Sequence, residues 1–140
     1  MSRRILSALG CLCSLTSGCV APIVPAWNQF DGTYLGDSRL IRGFGYVCAV
    51  PAPSTSITVR DGRFDYIYDN YDLARPAPIP VQIAADGTFS GQIQYLVPSQ
   101  NRWGTTPTAW AMLRGRVAGK ALNATLTDYH CTRKMDLQQF

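Results

Sequence analysis

Side chains able to do chemistry are few in this chain, and their spacing narrows what they can do. His130 is the only histidine, and histidine is the one side chain whose ordinary pKa lies near neutrality. It follows Tyr129 at the start of the last apolar-alternating stretch, where it reads as a rim residue rather than a general base. No Gly-x-Ser-x-Gly occurs, and a lone histidine makes no case for a Ser-His-Asp group. All 9 acidic residues are aspartate. Asp31, Asp61 and Asp86 each precede a glycine, which is the work of a turn former. Asp65, Asp69 and Asp72 make at most an acidic patch, since no Asp-x-Asp-x-Asp loop converges oxygens on calcium. Neither Cys48 nor Cys131 sits in a Cys-x-x-Cys, and with His130 they fall short of a four-ligand zinc site. The Asn123-Ala124-Thr125 sequon falls in an expected strand and reads as chance. No catalytic residue, metal or cofactor is expected, and the chain reads as a non-enzyme.

The cysteine with the clearest chemistry is Cys19. Arg3 and Arg4 precede an uncharged apolar run over residues 5–15 (ILSALGCLCSL), the pattern of a secretory signal. The run is too short to cross a bilayer, which takes ~20 residues. Thr16-Ser17-Gly18-Cys19 then resembles the lipobox of bacterial lipoproteins, in which a cysteine after small residues is acylated and becomes the new N-terminus. Leu15 stands four residues before the cysteine, where that pattern has leucine three before it. Cleavage after Val24-Pro25-Ala26, leaving Trp27 first, is the competing reading. Acylation implies a membrane anchor, since buried acyl chains contribute ~0.8 kcal/mol per CH₂. The expected layout is a signal over residues 1–18, a proline-containing tether over 19–26 (CVAPIVPA), and one domain over 27–140. The expected location is the bacterial cell envelope, facing the periplasm and anchored to the outer membrane.

Export settles how the remaining thiols read. Cys11 and Cys13 lie inside the apolar run and leave with it. Cys48 and Cys131 remain, an even count in an oxidising compartment, and are expected to form a disulfide. The formal charge of +4 includes Arg3 and Arg4, so the domain itself is near neutral, and its small remaining basic excess does not point to nucleic acid.

One motif tests that exclusion. Arg42-Gly43-Phe44-Gly45-Tyr46-Val47 matches six positions of the RNP1 pattern of RNA-binding domains and resembles the first aromatic motif of cold-shock domains. The context those domains need is missing. The space before it is signal and tether, no second aromatic strand follows Pro51, and Ala49 stands where the pattern has an aromatic. A strand with glycines at close backbone approaches explains it as well, and no nucleic-acid partner is expected. Better leads are the polar loops. Tyr71 and Arg75 lie in residues 69–78 (DNYDLARPAP), and Arg102 and Trp103 in residues 98–107 (PSQNRWGTTP). Such loops on a rigid scaffold collect binding residues, and Trp, Tyr and Arg are the usual interface anchors. These four are the candidate contacts for a protein partner or a small ligand.

The elements that position them are strands. Low Lys, no Glu, and many Gly, Thr, Tyr and Pro disfavour helices. Residues 32–36 and 39–50 read as extended. Residues 54–60 and 63–68 alternate around Asp61-Gly62, the strongest short-range hairpin signal. A second hairpin is expected over 80–84 and 88–97 around Asp86-Gly87. A third is expected over 109–117 and 121–127 around Ala118-Gly119. Residues 131–137 close the set. Asp31-Gly32-Thr33-Tyr34, Asp61-Gly62-Arg63-Phe64 and Asp86-Gly87-Thr88-Phe89 share the form Asp-Gly-x-aromatic. In each, a tight turn is expected to send its aromatic into the core. The fold class is all-β, an antiparallel meander of about eight strands forming a small closed or partly open barrel, with a β-sandwich as the alternative. Cys48 and Cys131 are expected to tie an early strand to the last.

Three segments carry a wider likeness: residues 30–36 (FDGTYLG), residues 86–91 (DGTFSG), and Leu113-x-Gly115-Arg116-Val117-x-Gly119 before the late Cys131. They resemble a group of small exported proteins of alphaproteobacterial type without an assigned activity. The resemblance covers most of the domain and implies the fold. In size and layout the chain also resembles small disulfide-tied β-barrel lipoproteins that inhibit lysozyme, without their active-loop motif. The function these readings imply is a binding or inhibitor-type envelope module, with a structural envelope protein lacking a ligand pocket as the alternative.

Overall fold

The structure, a computed structural model, describes residues 28–43, 48, 54–70, 73, 75–97 and 107–140. After a 3-10 turn at Asn28–Phe30 the described residues form eight strands: β1 (Gly32–Arg42), β2 (Ser54–Val59), β3 (Arg63–Tyr68), β4 (Ala77–Ile83), β5 (Thr88–Leu96), β6 (Thr108–Ala118), β7 (Ala121–Thr127) and β8 (Thr132–Gln139). All pair antiparallel in one sheet of order β2-β1-β8-β7-β6-β5-β4-β3. The sheet curls so that its two edge strands, β2 and β3, meet again at their shared turn. The result is a nearly closed barrel with one unsealed seam, and not a sandwich.

Strict alternation explains why these strands curl around a filled interior. In β7 Leu122, Ala124 and Leu126 point in, and in β8 Met135 and Leu137 do. Across the barrel Tyr34, Tyr68, Ile79 and Leu113 are fully buried. The three expected aromatics, Tyr34, Phe64 and Phe89, all enter this core. Phe64 and Phe89 meet edge to face at 5.3 Å, a favoured quadrupole geometry.

The Asp-Gly units divide their labour. Asp61 (φ 52°) and Gly62 (φ 65°) both take left-handed backbone, the requirement of the mirror-image turn that suits strand twist. Gly87 (φ 85°) closes the β4–β5 turn, with its N–H donating to Ala84 O at 2.8 Å. There Thr88 Oγ1 and N donate to Asp86 Oδ1 at 2.7 and 3.0 Å, which holds the Asp86 carboxyl below its ordinary pKa. Asp31-Gly32, by contrast, makes no hairpin turn. Gly32 opens β1, and the Asp31 carboxylate accepts from Asp61 N and Gly62 N, both at 2.9 Å, in the turn that follows the neighbouring strand β2. Asp31→Ala is therefore expected to cost about 2 kcal/mol, the value of hydrogen bonds to a charged acceptor. A lowered urea midpoint with an unchanged slope would show it.

Four expectations need correction. Residues 32–36 and the start of 39–50 are one continuous strand, because β1 pairs with β8 from Tyr34↔Gln139 to Arg42↔Thr132. It ends at Arg42, before Gly43 with its φ of 141°; residues 44–47, 49 and 50 lie outside the described ones. The strand pair 54–60 and 63–68 is not a full hairpin. Its ladder stops at the single Arg60↔Arg63 bridge, and this parting is the seam. The second hairpin pairs only at Gln82↔Ser90 and Ile83↔Phe89. The next β4 positions facing β5 are Pro80 and Pro78, which have no N–H to donate. Finally, neither disulfide cysteine lies in a strand. Cys48 belongs to the β1–β2 connection and Cys131 to the β7–β8 turn.

Strand parity sorts the connections. The turns 60–63, 84–87 and 118–121 lie at one end, with Asn28 and Phe140. Phe30 is buried there, Gln29 Nε2 donates to Ala85 O (3.2 Å) and Tyr34 OH donates to Phe30 O (2.8 Å). The β1–β2, β3–β4 and β5–β6 connections and the β7–β8 turn all join strands at the opposite end.

Candidate functional site

The loop end is organised around the β7–β8 turn. Asp128 Oδ1 accepts from His130 N at 2.8 Å and Cys131 N at 2.7 Å, the local side-chain capping that makes Asp a turn former. Its other oxygen, Oδ2, accepts from Tyr68 OH at 3.0 Å. Asn70 Nδ2 donates to the same Tyr68 hydroxyl, and Asn70 Oδ1 accepts from Leu73 N at 3.1 Å. Tyr95 packs against Tyr68 with ring centroids 5.7 Å apart, and its hydroxyl accepts from Tyr129 N at 3.4 Å. The end of β3 is thereby fastened to the β7–β8 turn.

Burial, reinforced by the Tyr95 hydrogen bond and the Asp128 charge, pushes the Tyr68 hydroxyl well above its ordinary pKa of 10.0. It stays a neutral donor rather than a proton carrier. A raised tyrosine pKa contributes stability that is fully present below pH ~10 and is lost as pH rises above it. Tyr68→Phe is expected to cost about 1–2 kcal/mol at neutral pH by stranding Asp128 and Asn70. The variant should also unfold less steeply than the parent above pH 10, which a urea series across pH 7–11 measures.

The same turn presents the exposed chemistry. Tyr129 is 70% exposed and stands edge-on to the half-buried His130 ring at 4.8 Å. Nearby on the outer face of the same end, Leu96 and Trp110 are exposed large apolar side chains. Exposed aromatics beside polar groups are what interface anchors look like. Behind the turn the disulfide joins Cys48 to Cys131, with Cα atoms 5.7 Å apart. Arg133 is buried on the inward phase of β8 and its Nη2 donates to Cys48 O at 3.3 Å. Burial raises the Tyr66 hydroxyl, and the Arg133 charge nearby offsets part of that rise.

Of the residues chosen from sequence, Cys48 and Cys131 are brought together and Arg75 is exposed in the β3–β4 connection at this end. Tyr71, Arg102, Trp103 and Cys19 lie outside the described residues. His130 sits in the turn rather than at the start of a strand. Sequence reasoning passed over Tyr129 and Arg133. For Arg133 the signal was present, since it shares the two-residue phase of Met135 and Leu137. Tyr129 becomes a lead only once Asp128 is known to hold the turn that displays it. Among the described residues no three His, Cys, Asp or Glu side chains are grouped to hold a metal ion. Compared with protein-family models, curated proteins and solved structures, the chain matches none of them.

Proposed function

We propose that this is an exported, lipid-anchored envelope protein whose barrel is a non-enzymatic binding module working through its loop end. The observation that carries the reading is the polarity of the barrel. The chain enters at the tight-turn end beside Phe30, and the three long connections and the Tyr129 turn lie at the other. A tether from an acylated Cys19 to that entry point directs the loop end away from the membrane. The interior is filled by side chains, which favours a partner gripped by the loops over a ligand held in the lumen. A protein is the better fit to exposed Tyr129, Trp110 and Leu96, with an envelope or host hydrolase as one concrete case.

The test is a photo-cross-linking amino acid placed at Tyr129 or, as a control, at Lys120 in the exposed β6–β7 turn. Expressed in the bacterial host, the Tyr129 position should give one adduct of defined mass and the Lys120 position none. Equal labelling at both ends would instead favour the structural envelope protein, whose contacts spread over a face.

A further inference from the structure

We propose that the unsealed seam is a blind slot for the free C-terminal end of an extended partner segment. The segment would enter as a strand antiparallel to β3 and deliver its carboxylate to Arg60 and Arg63. This surface is separate from the loop end and does not depend on its role.

The direction of each backbone group follows from two sets of bonds. Arg60 N donates to Arg63 O and Arg63 N to Arg60 O, at 2.9 and 3.0 Å. In a strand alternate residues point their N–H and C=O the same way. Residues in phase with this bridge therefore aim into the seam: Ser54, Ser56 and Thr58 on β2, and Asp65 and Ile67 on β3. The other phase is occupied, as Ile83 N donating to Gly62 O at 2.9 Å shows for the β4 side, and β1 pairs β2 from Gly32↔Val59 to Asp37↔Ser54. No β2–β3 ladder continues past the bridge. Among the described residues the seam-facing backbone groups thus have no strand partner. Such edges are templates for an added strand, and natural barrels close to abolish them.

The slot also selects what can fill it. The Arg60↔Arg63 bridge seals its turn end, so a strand running toward that end must stop there. A strand antiparallel to β3 runs that way, which brings a chain terminus, and specifically a C-terminus, to the two arginines. Both are exposed. Among the described residues neither makes a salt bridge, and Arg63 Nε donates to Gln82 Oε1. They line a groove of about 560 Å³ over the closed end, with Thr58, Asp65, Pro80 and Gln82. Among the groove's lining residues the two cations face one carboxylate, Asp65. At the turn behind them the Asp31 carboxylate is taken up by the Asp61 and Gly62 amides and Asp61 is exposed, and arginine forks suit an incoming carboxylate. The flanking inward positions Ile57, Val59 and Phe64 are buried and apolar, so alternate residues of the segment should be apolar. Four or five residues, at ~3.4 Å each, would span the seam-facing groups.

The experiment uses the exported, oxidised protein and an N-acetylated pentapeptide of alternating valine and threonine with a free C-terminal carboxylate. In the protein alone, the amides of Thr58, Asp65 and Ile67 should exchange with solvent much faster than those of Phe64 and Tyr66. Adding the peptide should shift and protect those seam amides. Capping its carboxylate as an amide should weaken binding on the order of tenfold, the scale of a charge-assisted contact. The double variant Arg60→Gln with Arg63→Gln should weaken the acid to the level of the amide and leave the amide unchanged. Seam amides already protected in the free protein would overturn the proposal. So would an absence of seam shifts at millimolar peptide, or equal binding of acid and amide.

Discussion

Opening the Cys48–Cys131 bond is expected to remove about 4.5 kcal/mol of stability, the chain-entropy value for so long a closed loop. The two cysteines are 83 residues apart, so the bond restrains most of the unfolded domain. In the folded state it joins the β1–β2 connection to the β7–β8 turn, at the loop end of the β1–β8 contact that closes the barrel. Small domains are held by only ~5–15 kcal/mol in all, so this one bond is a large share. Urea unfolding of the double variant Cys48→Ala with Cys131→Ala, beside the oxidised parent, measures it. Amide exchange should rise most at Asp128 to Cys131, where the turn depends on the bond, and least at the turns of the opposite end. Equal urea midpoints for the two proteins would mean that the bond is not formed in solution.

The next largest loss is expected from one methyl group. Gly115 on β6 faces Phe89 on β5 in the cross-strand register. A Cβ added there would lie 2.3 Å from Asn123 O and 2.5 Å from Phe89 Cζ. The first of these atoms is backbone and cannot swing aside. The glycine lets the Phe89 ring lie over the strand and meet Phe64, a use of aromatics over bare strand backbone known from other sheets. Gly115→Ala is expected to destabilise by about 2–3 kcal/mol through overpacking. Gly119→Ala is the contrast, since nothing lies within 4 Å of its would-be Cβ. Its φ of 57° still carries a smaller backbone cost of about 1 kcal/mol. Thermal melts that rank Gly119→Ala as the worse variant would contradict the packing account.

What was legible in the sequence follows from where the controlling forces are local. The two-residue alternation of Leu122, Ala124 and Leu126 fixes which face of β7 is buried. The Asp61-Gly62 and Asp86-Gly87 pairs mark two turns because only certain residues tolerate positive φ. The seam was not legible, because 54–60 and 63–68 alternate identically whether the strands pair or part. What parts them is closure: β2 is held by β1 and β3 by β4, each along its length, and both constraints are long-range. The short β4–β5 ladder was readable in principle from Pro78 and Pro80. Asp31 was read as a turn former. Its real partners are Asp61 and Gly62, and no local pattern announces a contact across that distance. The same limit hid Tyr129, whose display depends on Asp128 binding Tyr68 from another strand.

The proposed export and N-terminal lipid anchor are tested most directly by the intact mass of the protein isolated from its native host. The expected species begins at Cys19, carries added acyl mass on that residue, and weighs two hydrogens less than its reduced form because of the Cys48–Cys131 bond. A Cys19→Ser variant should lose the acyl mass and leave the membrane fraction. A chain that begins at Trp27 without acyl mass, or that keeps Met1, would contradict the anchored reading.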